Sequence, residues 1–174
     1  MQLIQPSEAL KGHFDSPALE ANSEQPKKLG SIERRHGFWV GNIGLLLPYD
    51  MTCEVSAGLP VFHLPNSPIW LTGMCNLRGN MAPMFDMSLL FDINVEQNTK
   101  RSQLFIQIDD EWLGVYSDRL PARVLLDKNN KLNGVPPIPD ELHSFVHSCY
   151  QQTDVWLDWD ITGFFSWLAE QVPG

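Results

Sequence analysis

Short apolar runs separated by turn residues dominate this chain. Residues 37–40 and 43–47 flank Gly41-Asn42, a strand, tight turn, strand pattern that Pro48 closes. Further strand-length segments lie at 61–64 before Pro65, at 69–72 before Gly73, and at 81–85 after Gly79-Asn80. Beyond the polar stretch 94–102 comes the clearest hairpin: 103–108, a turn at Asp109-Asp110-Glu111, then 112–116. One more strand is predicted at 123–126, ahead of an Asp-Lys-Asn-Asn-Lys turn and a loop carrying Pro136, Pro137 and Pro139. Strands of this length, with turn signals every ~8 to 12 residues, predict a mainly β barrel or sandwich rather than alternating βαβ units.

Helical spacing is confined to few places. Ile161, Phe164, Phe165 and Leu168 recur at i, i+3, i+4 and i+7 behind Asp160, which can cap the first turn, so a short C-terminal helix is predicted. Residues 87–91 predict one shorter helical turn. Two readings stay open over 142–150: Leu142, Phe145, Val146 and Cys149 fit a helix, whereas 145–150, a Gln-Gln-Thr-Asp turn and 155–159 fit a hairpin. Residues 1–35 scatter their apolar positions among Pro, Ser, Glu, Asn, Gln and Lys, too few to offset the entropy of ordering. They are expected to form a flexible extension, with one domain over 36–174.

Composition narrows the function. The 174 residues are 43% hydrophobic, with six Trp and nine Phe, which is enough for a sizeable core. Net charge is −9, and residues 140–174 hold six acids without a Lys or Arg, so phosphate backbones and anionic lipid would be repelled. Neither a nucleic-acid function nor direct membrane insertion is expected, since no basic, apolar leader and no run of ~20 apolar residues occurs. The expected setting is cytoplasmic. Cys53, Cys75 and Cys149 are odd in number and widely spaced, which fits reduced, mostly buried thiols.

Several residue groups could in principle carry chemistry. His143 and His147 would share one face of a helix, as zinc ligands do, but lack the glutamate expected after the first histidine. Asp109-Asp110-Glu111 and Asp154, Asp158, Asp160 offer carboxylate pairs for acid and base work, though acids at hairpin tips are usually solvated turn residues. Cys75 has no nucleophile context, and both phosphate-loop patterns are absent. A metal-dependent or hydrolytic enzyme built on these groups is the alternative to the reading below. No metal and no cofactor are expected.

One run stands out: residues 68–79, Pro-Ile-Trp-Leu-Thr-Gly-Met-Cys-Asn-Leu-Arg-Gly, continuing to Pro83 and Asp86. It sets Arg78, the only Lys or Arg between Arg35 and Lys100, beside a glycine at a turn between apolar strands. An arginine there suits either partner contact or pairing with an acid of its own surface.

The stretch Gly73-Met74-Cys75-Asn76-Leu77-Arg78-Gly79 resembles the G-x-x-N-L-R-G signature of the CheW family of chemotaxis coupling proteins, and Pro83 and Asp86 resemble its following P-x-x-D. Upstream, Gly44 to Pro48 with Glu54-Val55, and Leu64-Pro65 with Pro68, are similar to that family's early strands. Downstream, Leu113 to Asp118 resembles its V-G-x-x-V-D strand and 155–161 its closing strand. The resemblance covers about residues 36–170. It implies two small five-stranded barrels packed together with a short C-terminal helix, no catalytic activity, and an adaptor joining a chemoreceptor signalling tip to a CheA-type histidine kinase. It makes Glu54, Gly73, Asn76, Leu77, Arg78 and Gly79 the expected receptor- or kinase-contacting residues, with Gly114 and Asp118 as looser matches. Backbone geometry is the competing reason for Gly73 and Gly79. Such an adaptor would be recruited to membrane receptor arrays through its partners, in a flagellar or a type IV pilus (twitching-motility) pathway.

Overall fold

The computed structural model describes residues 32–95 and 100–172. The expected flexible extension lies outside them except for residues 32–35, which begin the first strand. Strand β1 (Ile32–Val40) starts four positions before His36 because its leading half pairs with β9 (Ala122–Asp127), Ile32 opposite Asp127 and Gly37 opposite Ala122. Its second half turns at Gly41-Asn42 into β2 (Ile43–Leu47).

Two sheets result. The first holds β1, β2, β9 and the hairpin of β10 (Val146–Gln151) and β11 (Val155–Trp159), in the order β10-β11-β2-β1-β9. The second joins β3 (Cys53–Ser56), β4 (Val61–Phe62), β5 (Leu71–Leu77), β6 (Asn80–Phe85), β7 (Ser102–Ile108) and β8 (Glu111–Ser117), in the order β3-β7-β8-β6-β5-β4. It has six strands rather than five because two-residue β4 adds an edge to β5. The strand expected at 69–72 runs instead to Leu77, since Thr72 donates through its hydroxyl to the Met84 carbonyl and Gly73 to Leu77 pair with β6 across the turn.

The open stretch 142–150 divides. Helix α2 is a single turn, Asp140–His143, and the chain is extended again from Val146. The short turn α1 (Met87–Leu90) and the terminal helix α3 (Ile161–Glu170) stand where periodicity placed them, capped by Asp86 and Asp160. The Asp160 carboxylate accepts from Gly163 N at 2.8 Å, satisfying one of the orphan donors of the first turn.

The largest core lies between the sheets and under α3. Phe38, Leu45 and Leu47 from one sheet meet Leu104, Ile106, Leu113 and Val115 from the other, and Phe164 and Leu168 of α3 seal the seam. Phe164 is fully buried, with the rings of Phe91, Phe145, Trp159, Phe165 and Trp167 at centroid distances of 5.1–6.2 Å around it. A smaller core of Cys75, Leu77, Ala82, Met84 and Phe105 fills the inner face of the six-stranded sheet. Strands buried on both faces explain the continuous apolar runs such as 45–47.

Candidate interaction site

The signature run forms a β-hairpin. Leu77 pairs with Asn80, so Arg78-Gly79 is a two-residue connection, and both lie in the left-handed region, φ 53° at Arg78 and 94° at Gly79. Two positive φ values in succession mark the tight hairpin turn whose twist matches that of the strands. Asn76 holds this turn: its Oδ1 accepts from Gly79 N at 2.7 Å. Leu77 and Cys75 point inward to the small core and Asn76 outward to solvent.

Gly73 is set by packing. At φ 149°, with the Phe62 carbonyl where a Cβ would stand, only glycine lets β4 lie against β5. Gly114 is likewise a packing residue, because the Met84 sulfur occupies the space of its missing Cβ.

Two expected contact residues meet. Arg78 Nη2 lies 2.9 Å from Glu54 Oε1, although they are 24 positions apart in sequence. Glu54 sits on β3 in register with Phe105, whose ring is in the small core, so its side chain belongs to the inner face. Because β3 is one edge of the sheet and β4-β5 the other, the ion pair bridges the two edges where the sheet curls towards a barrel. A second tie does the same with an amide: Gln103 donates through Nε2 to the Leu59 carbonyl at 2.9 Å and accepts from Leu59 N at 2.8 Å. Arg78 itself remains 78% exposed and Glu54 29%.

Sequence reasoning missed the strongest electrostatic feature. Arg101, just before β7, donates through Nη1 and Nη2 to Asp86 at 2.6 and 2.9 Å and through Nη2 to Ser88 Oγ at 3.0 Å. Its Nε lies 2.7 Å from Asp118 Oδ1, and the guanidinium stands 4.8 Å from the centre of the Tyr116 ring. Asp118 in turn accepts from Gly41 N, while its own amide donates to the Trp39 carbonyl at 3.0 Å. Thus Asp86 of the P-x-x-D match and Asp118 of the second match are bound to one cation, and that cluster clasps the six-stranded sheet to the β1–β2 turn. Desolvation lowers the Arg101 pKa, but the hydrogen bond and charge of Asp86 and the charge of Asp118 together raise it above its ordinary value. Arg101 was legible only as the end of a polar stretch, with no local signal naming its partners.

The groups weighed for chemistry are dispersed. His143 ends α2 and His147 lies on β10, both exposed, so the shared helical face does not exist. Asp154 pairs with Arg119 at 3.1 Å, Asp158 lies 3.7 Å from Arg35, and Asp160 caps α3. Asp109 and Asp110 form a hairpin turn with φ 48° and 67°. Cys75 and Cys149 are buried and Cys53 half-buried, with burial raising each thiol above its ordinary 9.0. Among the described residues no helix is long and apolar enough to cross a membrane.

A hairpin carrying G-x-x-N-L-R-G on a two-sheet β scaffold coincides with a family match over residues 37–163, the CheW-like domain. The chain belongs to the CheW-like domain family. It is 26% identical to the chemotaxis protein CheW of Helicobacter pylori over 61% of this chain, a match spanning only 62% of that protein's length. It is 23% identical to protein PilI of Pseudomonas aeruginosa, over 70% of this chain and 68% of PilI. Among solved structures, scaffolding protein TtCheW of Thermoanaerobacter tengcongensis shares the CheW-like fold with a TM-score of 0.61 at 20% identity, covering 77% of this chain and 92% of TtCheW.

Proposed function

We propose that this CheW-like domain couples a chemoreceptor signalling tip to a CheA-type histidine kinase, as a cytoplasmic adaptor, with Arg78 and Glu54 at the contact surface. The observation that carries the reading is the state of Arg78. A non-glycine residue in the left-handed region costs about 1 to 2 kcal/mol, and an exposed ion pair returns about 0 to 1 kcal/mol. Folding alone therefore gives no reason for an arginine at this turn, whereas a rigidly mounted, exposed guanidinium is well suited to a carboxylate or carbonyl cluster of a partner. Asn76, Leu77 and Gly79 serve the contact by fixing the turn, and Gly73 by seating the neighbouring strand.

The resemblance to PilI favours a type IV pilus setting as much as the resemblance to CheW favours a flagellar one. The test is a binding titration of wild type and Arg78→Glu against a receptor signalling-tip fragment and the kinase's regulatory domain, each beside a thermal melt. Loss of more than ~2 kcal/mol of binding with an unchanged melt is expected. Unchanged affinity for both partners would remove Arg78 from the contact surface.

A further inference from the structure

On the face of the β5–β6 hairpin opposite the small core lies an open cleft of about 690 Å³. Strand alternation puts Met74, Met81, Pro83 and Phe85 on this outer side, while Cys75, Leu77, Ala82 and Met84 fill the inner one. One wall is the stripe Thr162, Phe165, Ser166 and Ala169 of α3, and the far rim is the β7–β8 turn, Asp109, Asp110 and Glu111. The floor is apolar and only partly covered, with Met74, Pro83 and Ile108 half-buried and Met81 55% exposed.

Charge decides what fits there. Among the described residues no Lys or Arg lines the cleft. No cation among the described residues lies within 4 Å of Asp109, Asp110 or Glu111, and of the acids without such a partner these three are adjacent and line the cleft. Three adjacent exposed carboxylates beside an apolar floor attract cations and repel phosphate and anionic lipid. Methionine side chains adapt to varied apolar shapes, which suits a floor that receives a side-chain ridge.

We propose that this cleft, which adjoins the Arg78-Gly79 turn through Gly79 and Asn80 but lies beside rather than on the Arg78–Glu54 pair, is a second docking surface for a partner-protein segment that presents Lys or Arg beside a large apolar anchor. The apolar anchor lies on Met74, Met81 and Pro83 against α3, and the cations reach the β7–β8 turn. The surface needs neither receptor nor kinase to be tested.

The probe is a short acetylated amphipathic peptide with a leucine stripe flanked by lysines, with a glutamate-for-lysine counterpart as control, titrated into the full chain carrying methyl-labelled methionine. Binding should shift the Met74 and Met81 methyls and leave the fully buried Met84 and Met87 in place. Asp109→Asn/Asp110→Asn/Glu111→Gln removes the charge and keeps the turn, because asparagine tolerates left-handed backbone; affinity should fall by about tenfold or more. Ala169→Trp fills the cleft from an exposed helix position and should abolish the shifts. Equal binding of the two peptides, silent Met74 and Met81 methyls, or unchanged affinity in the charge-removed or cleft-filled chain would overturn the proposal.

Discussion

Replacing Arg101 with methionine keeps most of the side-chain stem and removes the cation that two carboxylates share. The wild-type guanidinium is within 2.6–2.9 Å of Asp86 and 2.7 Å of Asp118, whose side chains are only 9% and 5% exposed. Breaking a buried ion pair by removing one partner costs about 3 to 5 kcal/mol, because the remaining charge stays desolvated and unpaired. Arg101 is 22% exposed, so water can enter the gap, and the lower end of that range, about 3 kcal/mol, applies. The Asp86 carboxylate keeps its hydrogen bonds from Ser88 N and Leu89 N, which preserves the cap of α1. With a denaturant slope of about 2 kcal/mol per molar urea, the unfolding midpoint should drop by about 1.5 M. Adding Asp118→Asn to the Arg101→Met chain should restore part of the loss, since it removes one of two unpaired neighbouring charges; a double-mutant cycle measures that coupling. A midpoint shift below about 0.5 M for Arg101→Met, equivalent to ~1 kcal/mol, would refute the view that this cation holds the two sheets together.

Arg78→Gly should leave stability within about 1 kcal/mol of wild type, because relief of left-handed strain offsets the lost surface ion pair, while partner binding falls; urea midpoints beside the binding titration decide it. Phe164→Ala should cost about 3 to 5 kcal/mol by emptying the centre of the aromatic cluster, read as a lowered midpoint in urea. Cys75 should react slowly with an alkylating reagent in the native chain and rapidly in urea, since burial raises its thiol above 9.0. The same shift has a signed pH consequence: the unfolded thiol ionises first, so its contribution is fully present below about pH 9 and is lost as pH rises through the folded pKa. Cys75→Ala should accordingly flatten the alkaline fall of stability, and an alkaline limb as steep as wild type would contradict this.

What the sequence determined by itself was local. Turn residues and strand-length apolar runs placed the 43–47, 81–85, 103–108 and 112–116 strands to within a residue or two, and Asp160 with the 161–168 periodicity placed α3, because hairpins and caps are decided by neighbours in the chain. The G-x-x-N-L-R-G run likewise identified the hairpin and its exposed arginine. Tertiary structure decided whatever depends on residues far apart. The early start of β1 comes from β9, ninety positions away, and the choice of hairpin over helix at 146–151 comes from pairing with β11, which itself lies parallel to β2. Arg78 meets Glu54 because the curl of the six-stranded sheet brings its two edges together, and Arg101 meets Asp86 and Asp118 because β7, β8 and β6 lie side by side in that sheet. Ionic partners of this kind carry no periodic signal, because a charge is satisfied by any opposite charge that the fold brings within reach.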